Sequence, residues 1–129
     1  MNFTEAQTRL VQRAVDHAPA GWVQLYLDIE VEFIDGDFTI LKGARAVISK
    51  AGNVMDEEFM IGASVLPEVR DLYKIMKKDE AEPFIGFELT IEADGRYKIN
   101  FWHDPALRQD AARTAKLNNY LDYYRQAQQ

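Results

Sequence analysis

Residues 21–46 read GWVQLYLDIEVEFIDGDFTILKGARA, and this stretch decides the fold. Val23, Leu25, Leu27, Ile29, Val31 and Phe33 alternate with Gln24, Tyr26, Asp28, Glu30 and Glu32. Period-2 alternation sustained over eleven residues marks a long strand with one apolar face. Asp35-Gly36 then suits a two-residue type I′ turn, which needs φ > 0 at both positions. Such a turn fixes the register by counting. Ile34 faces Asp37, Phe33 faces Phe38, Val31 faces Ile40, Leu27 faces Ala44 and Leu25 faces Ala46. On the inner face apolar residues meet throughout except where Ile29 faces Lys42. A slip of one residue would turn every apolar side chain outward, so the register is strongly specified.

Upstream, Thr4 and Gln7 suit a capping box, and Leu10, Val11, Ala14 and Val15 give a helix one apolar stripe. Proline disfavours helix just before it, so this helix should end near Ala18-Pro19, with His17 closing it. Downstream, the second strand runs to about Ser49, and Ala51-Gly52-Asn53 is a turn. Val54 to Ile61 is divided: Met55, Phe59 and Ile61 suit a short third strand, whereas Asp56-Glu57-Glu58 oppose it. Pro67 fits the first turn of a second helix, whose buried stripe is Val65, Val69, Leu72, Tyr73 and Met76. Lys74, Lys77 and Lys78 sit where they complement its dipole.

A second hairpin follows. Phe87, Leu89 and Ile91 alternate on one strand, and Tyr97, Ile99 and Phe101 on the next. A two-residue turn at Asp94-Gly95 would set Ile91 against Lys98. A three-residue loop, Ala93-Asp94-Gly95, pairs Ile91 with Tyr97, Leu89 with Ile99 and Phe87 with Phe101, with Gly95 in the left-handed bulge position. Asp104-Pro105 is an N-cap followed by proline, which opens a last helix with Leu107, Ala111, Leu117, Leu121 and Tyr124 on its inner side. The expected fold is therefore α+β, in the order α-β-β-(β)-α-β-β-α. It is a mainly antiparallel sheet of two hairpins with about three helices, the short fifth strand being the open element.

The chain has 129 residues, 47% apolar and 28% charged, which fits one domain over 1–129 with a real core. No apolar run approaches the ~20 residues of a membrane span. MNFTEAQTRL lacks the apolar centre of a secretory signal, and a cytoplasmic location is the expectation. Cysteine is absent, which excludes disulfides and thiolate metal sites. Net charge is −6, unevenly spread. Residues 1–104 hold 11 Lys/Arg against 19 Asp/Glu, while residues 105–129 hold four Lys/Arg against two Asp. Such acidity repels nucleic acid and anionic membranes and attracts a basic partner, although solubility alone also explains it.

Catalytic patterns are weak. His17 and His103 are the only histidines, and His103-Asp104 has too few companions for a metal-dependent phosphohydrolase. Ser49 and Ser64 stand in no nucleophile elbow, and no phosphate-cradling glycine loop occurs. Asp28, Glu30 and Glu32 share one strand face roughly 6–7 Å apart, too widely spaced to converge on one ion unaided. No cofactor, metal or catalytic residue is assigned, and a non-enzymatic role is the expectation. Trp22 and Tyr26 fall on the acidic face by parity, and Trp102 on the same side of the last strand. Acids beside aromatics suit an interaction surface for a basic protein, or aromatics packed under a helix.

Residues 19–37, PAGWVQLYLDIEVEFIDGD, followed by an apolar helix and then residues 87–104, FELTIEADGRYKINFWHD, resemble the YezG-like immunity protein family. The likeness covers roughly residues 10–104. It departs where members often open the penultimate strand with tryptophan and this chain has Phe84-Ile85-Gly86-Phe87. The resemblance implies a cytoplasmic inhibitor that binds the toxin domain of a secreted toxin, often a nuclease, by occlusion and without turnover. Asp28, Glu30, Glu32, Asp35 and Asp37, with Trp22 and Tyr26, are the first candidates for contact. A generic adaptor module and a small carboxylate metal hydrolase are the alternatives.

Overall fold

The first hairpin has the register its two-residue turn requires. In the computed structural model, β1 (Trp22–Ile34) and β2 (Asp37–Lys50) pair Ile34 with Asp37, Phe33 with Phe38, Val31 with Ile40, Leu27 with Ala44 and Leu25 with Ala46. The structure describes residues 2–34, 37–59, 61, 65–78 and 83–103, with the side chains of 32–34, 37 and 39–43 outside that description. The turn residues Asp35 and Gly36, and the last helix expected from Asp104-Pro105, lie outside the described residues.

The open element is a strand: β3 (Asn53–Glu58) pairs antiparallel with β2, from Lys50–Asn53 to Arg45–Glu58. Its acidic run is tolerated because Arg45 on β2 forms ion pairs with both Asp56 and Glu58. The β2–β3 turn is Ala51-Gly52, with φ of +52° and +81°, and Asn53 belongs to the strand. The second hairpin joins β4 (Gly86–Glu92) to β5 (Tyr97–Trp102) and pairs Ile91 with Tyr97, Leu89 with Ile99 and Phe87 with Phe101. Its three-residue loop closes with Glu92 N–H on the Arg96 carbonyl at 2.8 Å, and Gly95 takes φ +92°. The five antiparallel strands lie in the order β3-β2-β1-β4-β5.

Two described helices cover one face of this sheet. Helix α1 (Phe3–Asp16) buries Ala6, Leu10 and Ala14, and ends with His17 as its C-cap. Its N-cap is Asn2, whose Oδ1 accepts Glu5 N–H at 2.8 Å. Thr4 is inside the first turn, a correction to its reading as the cap. Asparagine caps as well as threonine does, and it stands two residues earlier. Helix α2 (Leu66–Lys77) has Pro67 in its first turn and buries Val69 and Leu72. Arg13 Nε to Glu68 Oε1, at 3.1 Å, links the two helices.

The core gathers these stripes against Leu25, Leu27, Ile29, Phe87, Leu89 and Ile91, all fully buried. Each such side chain contributes roughly 1.5–3 kcal/mol by leaving water. Phe84 stands edge-on to Tyr73 and Phe87, with ring centroids 5.2 and 5.6 Å away. That aromatic chain ties α2 to the second hairpin. Among the described residues no helix is long and apolar enough to cross a membrane.

Candidate interaction face

The face of the sheet turned away from α1 and α2 carries Gln24, Tyr26, Asp28 and Glu30 on β1, and Glu88, Thr90 and Glu92 on β4. Register sets these residues side by side: Gln24 beside Glu92, Tyr26 beside Thr90, and Asp28 beside Glu88. Like charges directly opposite each other on a sheet are destabilising. Asp28 and Glu88 therefore form a local concentration of negative charge, flanked by Glu30 and Glu92. The sequences of β1 and β4 themselves contain no lysine or arginine.

Two hydrogen bonds organise the row. Tyr26 donates its hydroxyl to Glu88 Oε2 at 2.6 Å, and Gln24 donates Nε2–H to Glu92 Oε1 at 2.8 Å. This face is not a simple solvated one. Gln24 is 1% exposed, Tyr26 5%, and Glu88 and Thr90 9% each. Asp28 and Glu30 are half-buried. Beside Gln24, a small apolar group of Val47 and Val54, with Val23 against it, is separate from the main core.

Trp22 is elsewhere. A β-bulge between Trp22 and Gln24 breaks the pairing parity, so Trp22 packs against the main core while Val23 joins the opposite side. Counting by twos therefore places Trp22 on the wrong face, because a bulge adds one residue to the strand. Trp102 is buried over Gly86, where an added Cβ would stand 3.0 Å from its Cδ1 and 2.6 Å from the Ile29 carbonyl oxygen. Tyr26 is on the acidic face, but as an interior hydroxyl donor.

Glu30 marks a boundary. β4 accompanies β1 only as far as the Glu30–Gly86 pair, and β3 accompanies β2 only from Arg45 to Lys50. Beyond these limits the pairing of the first hairpin continues through Glu32–Thr39, Phe33–Phe38 and Ile34–Asp37, and Phe38 packs against Tyr73 of α2 with ring centroids 5.4 Å apart. Of the other sequence candidates, Asp35 is outside the described residues, as are the side chains of Glu32 and Asp37.

The remaining polar candidates are scattered. His17 places Nδ1 3.0 Å from the Arg13 carbonyl oxygen within its own helix. His103 is exposed, and its neighbour Asp104 lies outside the described residues, as does Ser64. Among the described residues no three His, Asp or Glu side chains gather as a metal-ligand set. Asp56, Glu57 and Glu58 line the β3 edge, where Arg45 neutralises part of their charge. Sequence reasoning missed Glu88 and Glu92 as members of the acidic face. The signal was available: once Leu89 and Ile91 point inward, their neighbours point to the other side. Which strand β4 joins was the missing fact. Comparison with family models and with curated proteins finds no match for the chain.

Proposed function

We propose that this chain is a non-enzymatic immunity protein that binds and neutralises a basic toxin domain, such as a nuclease, in the cytoplasm. The carrying observation is the group of half-buried acids Asp28, Glu30 and Glu92 on one face of two central strands that contain no basic residue. Such a surface is complementary to the cationic cleft with which a nuclease holds phosphate, and complementarity of this kind raises association rate and specificity. The resemblance of residues 10–104 to immunity proteins points the same way. The contact candidates are Glu30 with Glu32, Asp35 and Asp37, at the end of the first hairpin where its pairing runs beyond that of β1 with β4 and of β2 with β3. Occlusion is the mechanism, and no bond is made or broken.

The test is co-purification from the native host, followed by expression of the captured partner with and without this chain. Growth arrest by the partner alone, relieved by this chain, supports the reading. A partner that is harmless alone replaces it with an adaptor role. Within a confirmed complex, Glu30→Lys combined with Asp28→Lys should weaken binding, mainly through a slower association rate at low salt. Unchanged binding would remove this end of the hairpin from the interface.

A further inference from the structure

Among the described strands the sheet ends on one side at β5, and the backbone phase of that edge follows from its ladder with β4. Glu92 N–H donates to the Arg96 carbonyl, so Arg96, Lys98 and Asn100 turn their backbone groups towards β4. Tyr97, Ile99 and Phe101 therefore turn theirs to the outer side, where no described strand pairs with them. A row of N–H and C=O groups of this kind is a template for a further strand. Neither proline nor an acid interrupts Tyr97–Trp102, and Lys98 is its one charge. The opposite edge differs: β3 carries Asp56, Glu57 and Glu58, which oppose pairing with a like strand. Exposed apolar surface also gathers on the β5 side. Tyr97 is 37% exposed and Phe3 40%. The Tyr97 hydroxyl donates to Gln7 Oε1 at 3.1 Å, and Phe3 stands one turn before Gln7 on the same face of α1.

We propose that this edge pairs antiparallel with the same edge of a second copy, about a two-fold axis at Ile99. The backbone phase allows only registers that set two outward-turned residues face to face. Centred on Lys98, the pairing would set Lys98 against its own equivalent, and like charges directly opposite are destabilising. Centred on Ile99, it sets Ile99 against Ile99, Tyr97 against Phe101 and Lys98 against Asn100 of the second copy. The apolar layer of Ile99 and Phe101, which already packs on the core, then continues across the junction. No charge stands directly opposite a like charge. Moving the centre on to Asn100 leaves fewer rungs. Such a contact is isologous and closes after two copies, so it uses up the edge on both. The two Lys98 side chains become diagonal neighbours, roughly 7–8 Å apart, and salt should favour the pairing by screening them. This assembly is independent of the toxin reading.

Amide hydrogen exchange of the full-length protein reads this edge residue by residue. In dilute solution Tyr97, Ile99 and Phe101 should exchange freely, while Lys98 and Asn100 are protected by β4. At concentrations where sedimentation shows a dimer, all five should be protected. Protection of the three in the dilute monomer means that the edge is covered within one molecule, which overturns the proposal. A chain that stays monomeric, or a dimer that leaves the three unprotected, overturns it too. Asn100→Lys tests the register. Its side chain faces Glu88 within the molecule, a favourable neighbour, but Lys98 of the second copy, twice per dimer. The dimer dissociation constant should rise about 2- to 30-fold while the monomer stays folded. Adding Lys98→Glu makes both pairs opposite in charge and should restore the dimer. An unchanged constant for Asn100→Lys, or no recovery in the double variant, overturns the pairing centred on Ile99. No toxin or other partner is present in these measurements, so their outcome is independent of the immunity function.

Discussion

Tyr26 and Glu88 are joined by a 2.6 Å hydrogen bond that runs diagonally across the β1–β4 pair, with Asp28 and Thr90 completing the square. The tyrosine ring needs this position because both of its neighbouring strands are central, and the carboxylate needs the donor because it is 9% exposed. Removing the hydroxyl without changing the ring isolates that contribution. Tyr26→Phe should destabilise the fold by about 0.5–1.5 kcal/mol, the net contribution of one intramolecular hydrogen bond. Urea unfolding should show a lower midpoint at unchanged slope. An unchanged midpoint would mean that the bond adds nothing to the seam.

Gly86 is fixed by close approach. A Cβ there would meet the Ile29 carbonyl oxygen at 2.6 Å and the Trp102 indole at 3.0 Å. Backbone cannot yield as a flexible side chain does. Gly86→Ala should therefore cost about 1–3 kcal/mol as an overpacked site. It should also shift the emission of Trp102, which a purely local helix or loop defect would leave alone. Full stability with unshifted emission would contradict the geometry.

Ala51 holds φ +52° in the turn between β2 and β3. A left-handed conformation costs a residue with a Cβ about 1 kcal/mol, and asparagine tolerates it best among such residues. Ala51→Asn creates the Asn-Gly pair that two-residue hairpin turns favour. The variant should be more stable by about 1 kcal/mol, raising Tm by about 4 °C for a domain of this size. A lower Tm would show that the turn is strained for another reason.

Asp94 titrates below its ordinary value of 3.8, chiefly because the Arg96 backbone N–H donates to its carboxylate, with the Arg96 guanidinium adding to the effect. The sign follows directly. A carboxyl with a lowered folded pKa adds stability that is complete above 3.8 and is lost as pH falls through the folded value. A carbon-detected titration should give a midpoint below 3.8. Arg96→Ala keeps the backbone donor, so the midpoint should rise only part of the way. A full return to 3.8 would assign the shift to the side chain instead.

Local geometry was legible in the sequence to the residue wherever a short turn linked two alternating runs. Counting outward from Asp35-Gly36, and from Ala93-Asp94-Gly95, gives both hairpin registers correctly. Counting failed at Trp22, because nothing in GWVQ marks the extra residue of a bulge. The acids of β3 argued against a strand until Arg45 was known to stand beside them, a cross-strand fact that no single segment contains. The candidate site suffered most from this limit. Asp28 and Glu30 were visible as a row, but Glu88 and Glu92 join it only through the β1–β4 pairing, which no turn encodes. The burial of Tyr26 and Gln24 was equally invisible.

That same pairing has a kinetic consequence. Each hairpin closes over a loop of two or three residues and can form on local contacts alone. The β1–β4 seam instead joins groups as far as 68 positions apart, such as Gln24 and Glu92. Closure entropy grows with the logarithm of loop length, and slow folding goes with distant contacts. Pairing of the two ribbons across the segment that holds α2 is therefore the step expected to slow folding most.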